Sequence, residues 1–205
     1  MTRPSTSPCT GAARSRGSAD AAAFYTLGHS TRSLDTFVAL LREANVAVVA
    51  DVRSMPRSLT NPQYNSDSLS RELAARQIEY EHIPELGGLR ARQPVPPDVN
   101  AFWQNTSFHN YADYAISESF QRGLERLREL ARRRSCAIMC AETLWWRCHR
   151  RIIADYLLAA HEIVFHILGP GQIVPAVMST AARRDARGVL IYPADAKAEI
   201  GASRD

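Results

Sequence analysis

Short continuous hydrophobic runs alternate along this chain with segments in which the apolar residues have helical spacing. Five such runs predict β-strands at 24–28, 46–51, 78–83, 136–140 and 163–168. The run at 46–51 is apolar at almost every position, which is typical of strands that are covered on both faces in a parallel sheet. The pattern therefore predicts a buried sheet rather than one with a solvated face.

The segments between these runs predict amphipathic helices. The clearest helix follows Ser33, a favourable N-cap, and has Leu34, Phe37, Val38 and Leu41 on one face. Further helices are predicted at about 67–77, 111–134 and 148–160, and loops at 53–65 and 84–110. A loop as long as the second is uncommon in a compact domain unless it has a function.

The alternation of strands and helices predicts an α/β fold. We expect an open, mostly parallel five-stranded sheet with helices on both faces, a Rossmann-like three-layer sandwich. Residues 24–178 would form a single domain. Residues 1–23 predict a disordered leader, and residues 179–205 predict a C-terminal tail, in which 189–192 could add a short edge strand.

Composition and charge restrict the function classes. No apolar run reaches the roughly 18 residues of a membrane helix, and residues 1–23 contain no signal-peptide hydrophobic region. The cysteines Cys9, Cys136, Cys140 and Cys148 show no disulfide framework, which predicts a cytoplasmic protein. The net charge of +4 comes almost wholly from arginine, since Lys197 is the only lysine, and it only weakly supports a nucleic-acid partner.

Polar residues follow the predicted strands at their carboxyl ends. His29 and Ser30 come after the first strand, and Asp51 with Arg53 after the second. The fourth is followed by Cys140 and Glu142, and the next helix begins near Cys148 and His149. In open parallel sheets, ligands bind beyond the carboxyl ends of the strands, so these side chains are predicted to line one pocket.

Cys148, His149 and Glu142 are the predicted catalytic residues, together with His29, which would orient the substrate. A helix N-terminus and neighbouring arginines favour the thiolate of Cys148, which makes it a nucleophile or a metal ligand. Burial would suit Glu142 to general acid–base catalysis. The alternatives are an inert packing cysteine and a carboxylate that caps a helix or pairs with arginine.

The remaining site residues are predicted to bind substrate. Arg53 is suited to an anionic group, although a structural Asp51–Arg53 pair is the alternative. Gly87 and Gly88 would let a ligand approach the backbone, or they simply form a turn. The other predicted substrate-binding residues are Ser30, Cys140 and Arg150.

Six short motifs give the chain a family resemblance when they are taken together. They are Thr26-Leu-Gly-His-Ser30, Asp51-Val-Arg53 with Pro56 and Ser58, Leu86-Gly-Gly88, Cys140-Ala-Glu142, Cys148-His-Arg150 and Val164-Phe-His-Ile167. In this order they resemble domain-of-unknown-function family 488, a family of bacterial α/β proteins. The resemblance implies a fold and a site at these motifs, but no reaction. The chain departs from the common pattern at Trp145-Trp146.

Three functional hypotheses follow from these observations. The first is a small hydrolase or group transferase without a cofactor, acting on an anionic substrate that is nucleotide-like or derived from nucleic acid. The second is a regulatory or nucleic-acid-interaction module in which Cys140, Cys148 and His149 bind zinc, and in which the arginines of 122–134 contact the partner. The third is a thiol redox protein that uses Cys140 and Cys148.

Overall fold

A six-stranded sheet forms the centre of the molecule. The computed structural model describes residues 23–132 and 134–194, so the predicted leader lies outside the described residues except for Ala23. The strands are β1 (Phe24–Gly28), β2 (Val48–Asp51), β3 (Glu79–His82), β4 (Cys136–Cys140), β5 (Val164–Gly169) and β6 (Gln172–Pro175). Their order is β3-β2-β4-β1-β5-β6, in which only β6 is antiparallel to its neighbour.

The predicted α/β three-layer fold is confirmed, but the prediction of five strands was wrong. Pro170 and Gly171 follow the last predicted strand and form a tight reversal into β6. Gly171 supports this turn with φ +66°, a conformation that most residues avoid. Because β6 is short and largely exposed at the sheet edge, it has no buried hydrophobic run to reveal it.

Five helices surround the sheet. They are α1 (Leu34–Glu43), α2 (Ser66–Ala74), α3 (Thr106–Ala115), α4 (Glu118–Ala131) and α5 (Arg150–Ala159). As predicted, Ser33 caps α1, and its hydroxyl accepts a hydrogen bond from the N–H of Thr36. The single helix predicted at 111–134 was wrong, because Ser117 caps a second helix and separates α3 from α4.

Two hydrophobic cores cover the two faces of the sheet. On one face α1 and α2 pack against the sheet through buried residues that include Phe37, Leu41, Leu69 and Leu73. On the other face the buried side chains come mainly from α3, α4 and α5, among them Tyr111, Phe120, Leu127, Ile153 and Leu157. The sheet is therefore buried on both sides, as its continuous hydrophobic runs indicate.

The described part of the C-terminal segment packs onto the second core. Strands β7 (Arg183–Arg184) and β8 (Leu190–Ile191) pair with each other in a separate two-stranded sheet and do not extend the edge of the main sheet. Tyr192 is fully buried, and its hydroxyl donates to Asp155 Oδ2 at 3.1 Å. None of the helices in the described part of the chain has the length and hydrophobicity that a bilayer crossing requires.

The strand register brings the functional segments together. Gly28 at the end of β1 lies beside Cys140 at the end of β4, and Asp51 at the end of β2 lies between Met139 and His82. The backbone pairing continues beyond the strands, since the N–H of His29 donates to the carbonyl of Cys140 at 2.9 Å. The loops that follow β1, β2 and β4 therefore leave the sheet side by side.

Candidate functional site

A cavity of about 330 Å³ opens at the carboxyl ends of the central strands. The loops after β2 and β4, the segment around Gly88, the start of α3 and the approach to α5 form its wall. The lining residues are Arg53, Ser54, Met55, Gly88, Leu89, Ser107, Phe108, Cys140, Ala141, Glu142, Arg147, Cys148 and His149. Its size is at the lower end of the roughly 300–1,000 Å³ that small-molecule sites occupy.

Two sulfur atoms and one imidazole nitrogen lie close together in this cavity. The ligand atoms of Cys140, Cys148 and His149 all lie within 4.8 Å of one another. The Sγ of Cys148 is 3.6 Å from Nδ1 of His149, whose Nε2 donates to the backbone carbonyl of Val52 at 2.9 Å. Because the carbonyl can only accept, Nε2 carries a proton, and Nδ1 is the ring nitrogen that faces the sulfurs.

Arg150 lies directly beneath Cys148 and is the largest fully buried side chain, with only 1% of its surface exposed. Its Nε donates to the Sγ of Cys148 at 3.2 Å, and its Nη2 donates to the backbone carbonyl of Glu142. Among the described residues no carboxylate forms an ion pair with it. A buried charge without a counterion is costly, so the Cys148 sulfur is the group placed to balance it.

The two cavity cysteines have opposite pKa shifts. Burial alone would raise the pKa of Cys148, but the hydrogen bond from Cys140 and the charges of Arg150 and His149 outweigh it and lower the pKa well below 9. The pKa of Cys140 is raised, first because its S–H is donated to Cys148 and then because it is buried. The two shifts therefore favour the proton on Cys140 and the thiolate on Cys148.

Glycine is required where the loops meet this centre. A Cβ on Gly88 would lie 2.4 Å from Nδ1 of His149, and one on Gly28 would lie 2.0 Å from the carbonyl oxygen of Glu142. A Cβ on Gly87 would lie 2.7 Å from the Ser54 hydroxyl oxygen. Gly87 and Gly88 were predicted to let a ligand approach the backbone, but they instead let the loop backbone approach the site. Of the two, only Gly88 lines the cavity.

Arg53 belongs to a buried network behind the cavity wall. Its Nε donates to Asp51 Oδ1 at 2.9 Å, and its Nη2 donates to Asp51 Oδ2 at 2.6 Å and to the Tyr64 carbonyl at 2.7 Å. The Tyr80 hydroxyl also donates to Asp51 Oδ2, at 2.7 Å. Asp51 and Arg53 therefore form the structural pair that the sequence analysis gave as the alternative to anion binding by Arg53. Arg53 also reaches the cavity.

His29 and Ser30 lie behind the cavity wall and do not line it. The Nε2 of His29 accepts from Arg53 Nη1 at 3.2 Å, while its Nδ1 donates to the carbonyl of Ser30 at 2.8 Å. Burial lowers the pKa of His29 to about 4, so the ring is neutral at pH 7. His29 therefore positions Arg53, and Ser30 shapes the turn with φ 48°.

Glu142 and Arg147 supply the charged groups that line the cavity mouth. One carboxylate oxygen of Glu142 accepts from the N–H of Leu144 at 3.0 Å, which holds the loop after β4. Arg147 is exposed and forms no ion pair with another described residue. The cavity thus carries a carboxylate and a free guanidinium beside the thiolate.

Sequence reasoning missed the apolar part of the wall. Met55 lies two residues after the predicted Arg53, so a wider window around that residue would have included it. Phe108 belongs to α3, which was predicted to start only at about 111. The signal for its start was Asn105, whose side chain accepts from the N–H groups of Ser107 and Phe108. The other lining residues missed are Ser54, Leu89, Ser107, Ala141 and Arg147.

Comparison with known proteins gives one relationship. No curated protein and no solved structure matches the chain. A family model described as "Domain of unknown function DUF488" matches residues 33–157, more than half of the chain. This range includes β2, the Gly87-Gly88 pair and the whole segment from Cys140 to Arg150. The chain therefore belongs to the family of the domain of unknown function DUF488.

Proposed function

We propose that this protein is an enzyme in which the thiolate of Cys148 attacks a small anionic substrate in the cavity, as a hydrolase or group transferase. The observation that carries the proposal is the buried guanidinium of Arg150, which donates to the Cys148 sulfur and pairs with no carboxylate among the described residues. A thiolate that borders a cavity is the reactive form of cysteine. Arg150 is a positioning residue, since it acts through Cys148.

The cavity residues support a two-step reaction. The Cys148 thiolate forms a bond to the electrophilic atom of the substrate, and the leaving group departs with its electron pair. In the second step the Glu142 carboxylate accepts a proton from water or from another acceptor hydroxyl, which attacks the covalent intermediate and releases Cys148 as a thiolate, and Glu142 then passes this proton to the leaving group. Cys140 donates its S–H to the Cys148 sulfur between turnovers.

The lining favours a substrate with an anionic group and a flat apolar part. Arg147 lacks a carboxylate partner among the described residues, so it can receive a phosphate or carboxylate. Phe108, Met55 and Leu89 provide apolar surface of the kind on which a nucleobase stacks. We therefore propose a nucleotide-like substrate or one derived from nucleic acid, in a cytoplasmic protein whose thiols stay reduced.

The proposal is tested in two stages. The rate of iodoacetamide alkylation of Cys148 is first measured from pH 5 to pH 9, where a thiolate gives a rate that is already high at pH 6. Nucleosides, nucleotides and short single-stranded DNA are then screened as substrates. Cys148→Ser and Glu142→Gln should abolish turnover in proteins that circular dichroism shows to be folded. Full activity in both variants would overturn the assignment.

A metal centre is the second candidate, favoured by the convergence of Cys140, Cys148 and His149 within 4.8 Å. Zinc takes sulfur and imidazole ligands, and a ligating histidine usually donates its other N–H to a carbonyl, as His149 does to Val52. The measurement is the metal content of the protein and of Cys148→Ser by mass spectrometry. Stoichiometric zinc that is lost in the variant would show that Cys148 is a metal ligand and not the nucleophile. If the protein contained no metal, the nucleophile assignment would stand.

The arginine-rich segment 122–134 offers little to a nucleic-acid partner. Arg126 pairs with Glu81, Arg134 pairs with Glu79, and Arg132 pairs with Glu125. Its charges are therefore largely balanced by the protein's own glutamates. Arg133, which the prediction also included, lies outside the described residues.

A further inference from the structure

Two cysteines lie together in the cavity, while a third cysteine of the same sheet is isolated from them. The sulfurs of Cys140 and Cys148 lie within 4.8 Å of each other, and both residues line the cavity. Cys136 lies four residues before Cys140 on β4, about 13 Å away along the strand, and is fully buried. Any reagent that enters the cavity therefore meets the pair and not Cys136.

We infer that Cys140 and Cys148 form a reversible disulfide when a hydroperoxide enters the cavity, and that this disulfide switches the enzyme off. This inference rests on the proposed function, because it takes Cys148 as the nucleophile. It assigns to Cys140 the role of resolving cysteine, which attacks the oxidised form of its neighbour.

The fold holds the two sulfurs near each other without rearrangement. Cys140 ends β4 and Cys148 directly precedes the first turn of α5, so a short loop joins them. Arg150 donates to the carbonyl of Glu142 within that loop, and Gly28 packs against the same carbonyl. Rotation of the two side chains is therefore the movement needed to close the remaining gap to bonding distance.

The reaction balances with hydrogen peroxide as the oxidant. The Cys148 thiolate attacks one peroxide oxygen, the O–O bond breaks, and hydroxide leaves, so Cys148 becomes a sulfenic acid. Cys140 then attacks the Cys148 sulfur and the S–O bond breaks. The hydroxide that leaves takes the proton of Cys140 and forms water. Two electrons pass from the cysteine pair to the peroxide, and the net products are one disulfide, one water molecule and the hydroxide released in the first step.

Arg150 makes the oxidised state reducible. In the disulfide the Cys148 sulfur is neutral, so the buried guanidinium loses the anion that balances it. Reduction restores the thiolate and its hydrogen bond with Arg150, which favours the return reaction. The bond is therefore a switch and not a structural crosslink, and it blocks the attacking sulfur while it is present.

The test uses the full chain with Cys9→Ser, which leaves Cys136, Cys140 and Cys148. Hydrogen peroxide is added in small excess and the protein is analysed by intact mass and peptide mapping. The expected result is a loss of about 2 Da, a crosslinked Cys140–Cys148 peptide, an unmodified Cys136 and full reversal by reduced glutathione. In a Cys140→Ser variant of the same chain, Cys148 should instead stop at a sulfenic acid that dimedone traps.

Alkylation of Cys148 at pH 6 in the same preparation separates this inference from the proposed function. Rapid alkylation together with sulfinic acid instead of a disulfide would overturn the switch and leave the nucleophile intact. Slow alkylation with no oxidation at Cys148 would overturn both. Oxidation of Cys136 at the rate of Cys148 would also refute the switch, because the cavity would then confer no selectivity.

Discussion

At the scale of single residues, the protonation of the site follows from one buried charge. Arg150 is enclosed by the protein and its Nε points at the sulfur of Cys148. Arginine stays protonated in proteins, so a neighbouring group must supply the negative charge that balances it. Cys148 can supply the negative charge because Cys140 and His149 also stabilise its thiolate.

Replacement of Arg150 by glutamine should raise the pKa of Cys148 and slow its alkylation by iodoacetamide at pH 6 by about tenfold or more. The alkylation rate follows the thiolate fraction, so the pH profile of the variant should shift to higher pH. Arg151→Gln is the matched control, since Arg151 packs over Trp103 and donates to Ser179 instead. An unshifted profile in Arg150→Gln would show that Arg150 does not set the charge of Cys148.

The contact between Gly88 and the His149 imidazole can be tested by substitution. A methyl group there would lie 2.4 Å from Nδ1 of His149, so Gly88→Ala should displace the imidazole and break its hydrogen bond to Val52. Overpacking of this kind costs about 1–3 kcal/mol. The measurements are urea unfolding and the Cys148 alkylation rate. Gly169→Ala, where a Cβ would meet no atom within 4 Å, should change both much less, and equal effects would refute the contact.

At the scale of elements, the end of β2 fixes the loop that forms one wall of the cavity. Asp51 and Arg53 bind each other, and Arg53 also holds the carbonyl of Tyr64 at the far end of that loop. Both side chains are almost fully buried. The pair therefore connects a strand of the sheet to the position of Ser54 and Met55 in the cavity wall.

Asp51→Asn should destabilise the protein by about 3 kcal/mol, because removal of one partner leaves the buried charge of Arg53 uncompensated. The unfolding free energy from guanidinium denaturation measures this loss. Glu72→Gln breaks the surface pair with Arg76 and should cost much less, because this pair is exposed to solvent. Similar costs for the two variants would mean that burial adds nothing to the Asp51–Arg53 pair.

The elements that could be predicted were those whose side chains face a core. Strand β4 was predicted with its observed bounds, because Cys136, Ala137, Ile138 and Met139 are all buried. The break at Ser117 was missed, because the hydrophobic spacing continues across it and only the cap marks it. Strand β6 was missed because it lies at an exposed edge. Local polar contacts and edge pairing leave no hydrophobic period in a sequence.

At the scale of the whole molecule, the parallel sheet explains why the location of the candidate site could be predicted, while the arrangement of its side chains could not. Residues as distant as Arg53 and Cys148 could be assigned to one cavity, because the carboxyl ends of parallel strands share one edge. Whether such a residue lines the cavity or supports a lining residue depends on the direction of its side chain. His29 and Arg53 both follow strands, yet His29 lies behind Arg53 and reaches the cavity only through it.

Two neutral histidines buried in different parts of the molecule determine part of its response to acid. Burial lowers the pKa of His29 to about 4, and burial followed by the charge of Arg150 does the same for His166. His166 hydrogen-bonds Thr26 through Nδ1 at 2.7 Å and stacks on Trp145 at 4.0 Å. Charging either ring would place a cation against a buried arginine, so both favour the folded state only while neutral.

The sign of the pH dependence follows from these shifts. In the unfolded chain a histidine titrates near 6.5, so as pH falls the unfolded state binds the proton first. The stabilisation by each neutral ring is complete above pH 6.5 and is lost as pH falls toward 4. Each ring should thus cost about 2 kcal/mol of unfolding free energy between pH 7 and pH 5.

The prediction is checked by urea unfolding at pH 7 and pH 5 of the protein and of His29→Gln, His166→Gln and the double variant. Each single variant should lose about 2 kcal/mol less stability than the wild type over this interval, and the double variant about 4 kcal/mol less. His161→Asn is the control. The His161 side chain is exposed, so this substitution should leave the loss of stability between pH 7 and pH 5 unchanged. If the double variant lost as much stability as the wild type, the two rings could not be the groups that take up protons on unfolding. The acid sensitivity would then have to come from other groups.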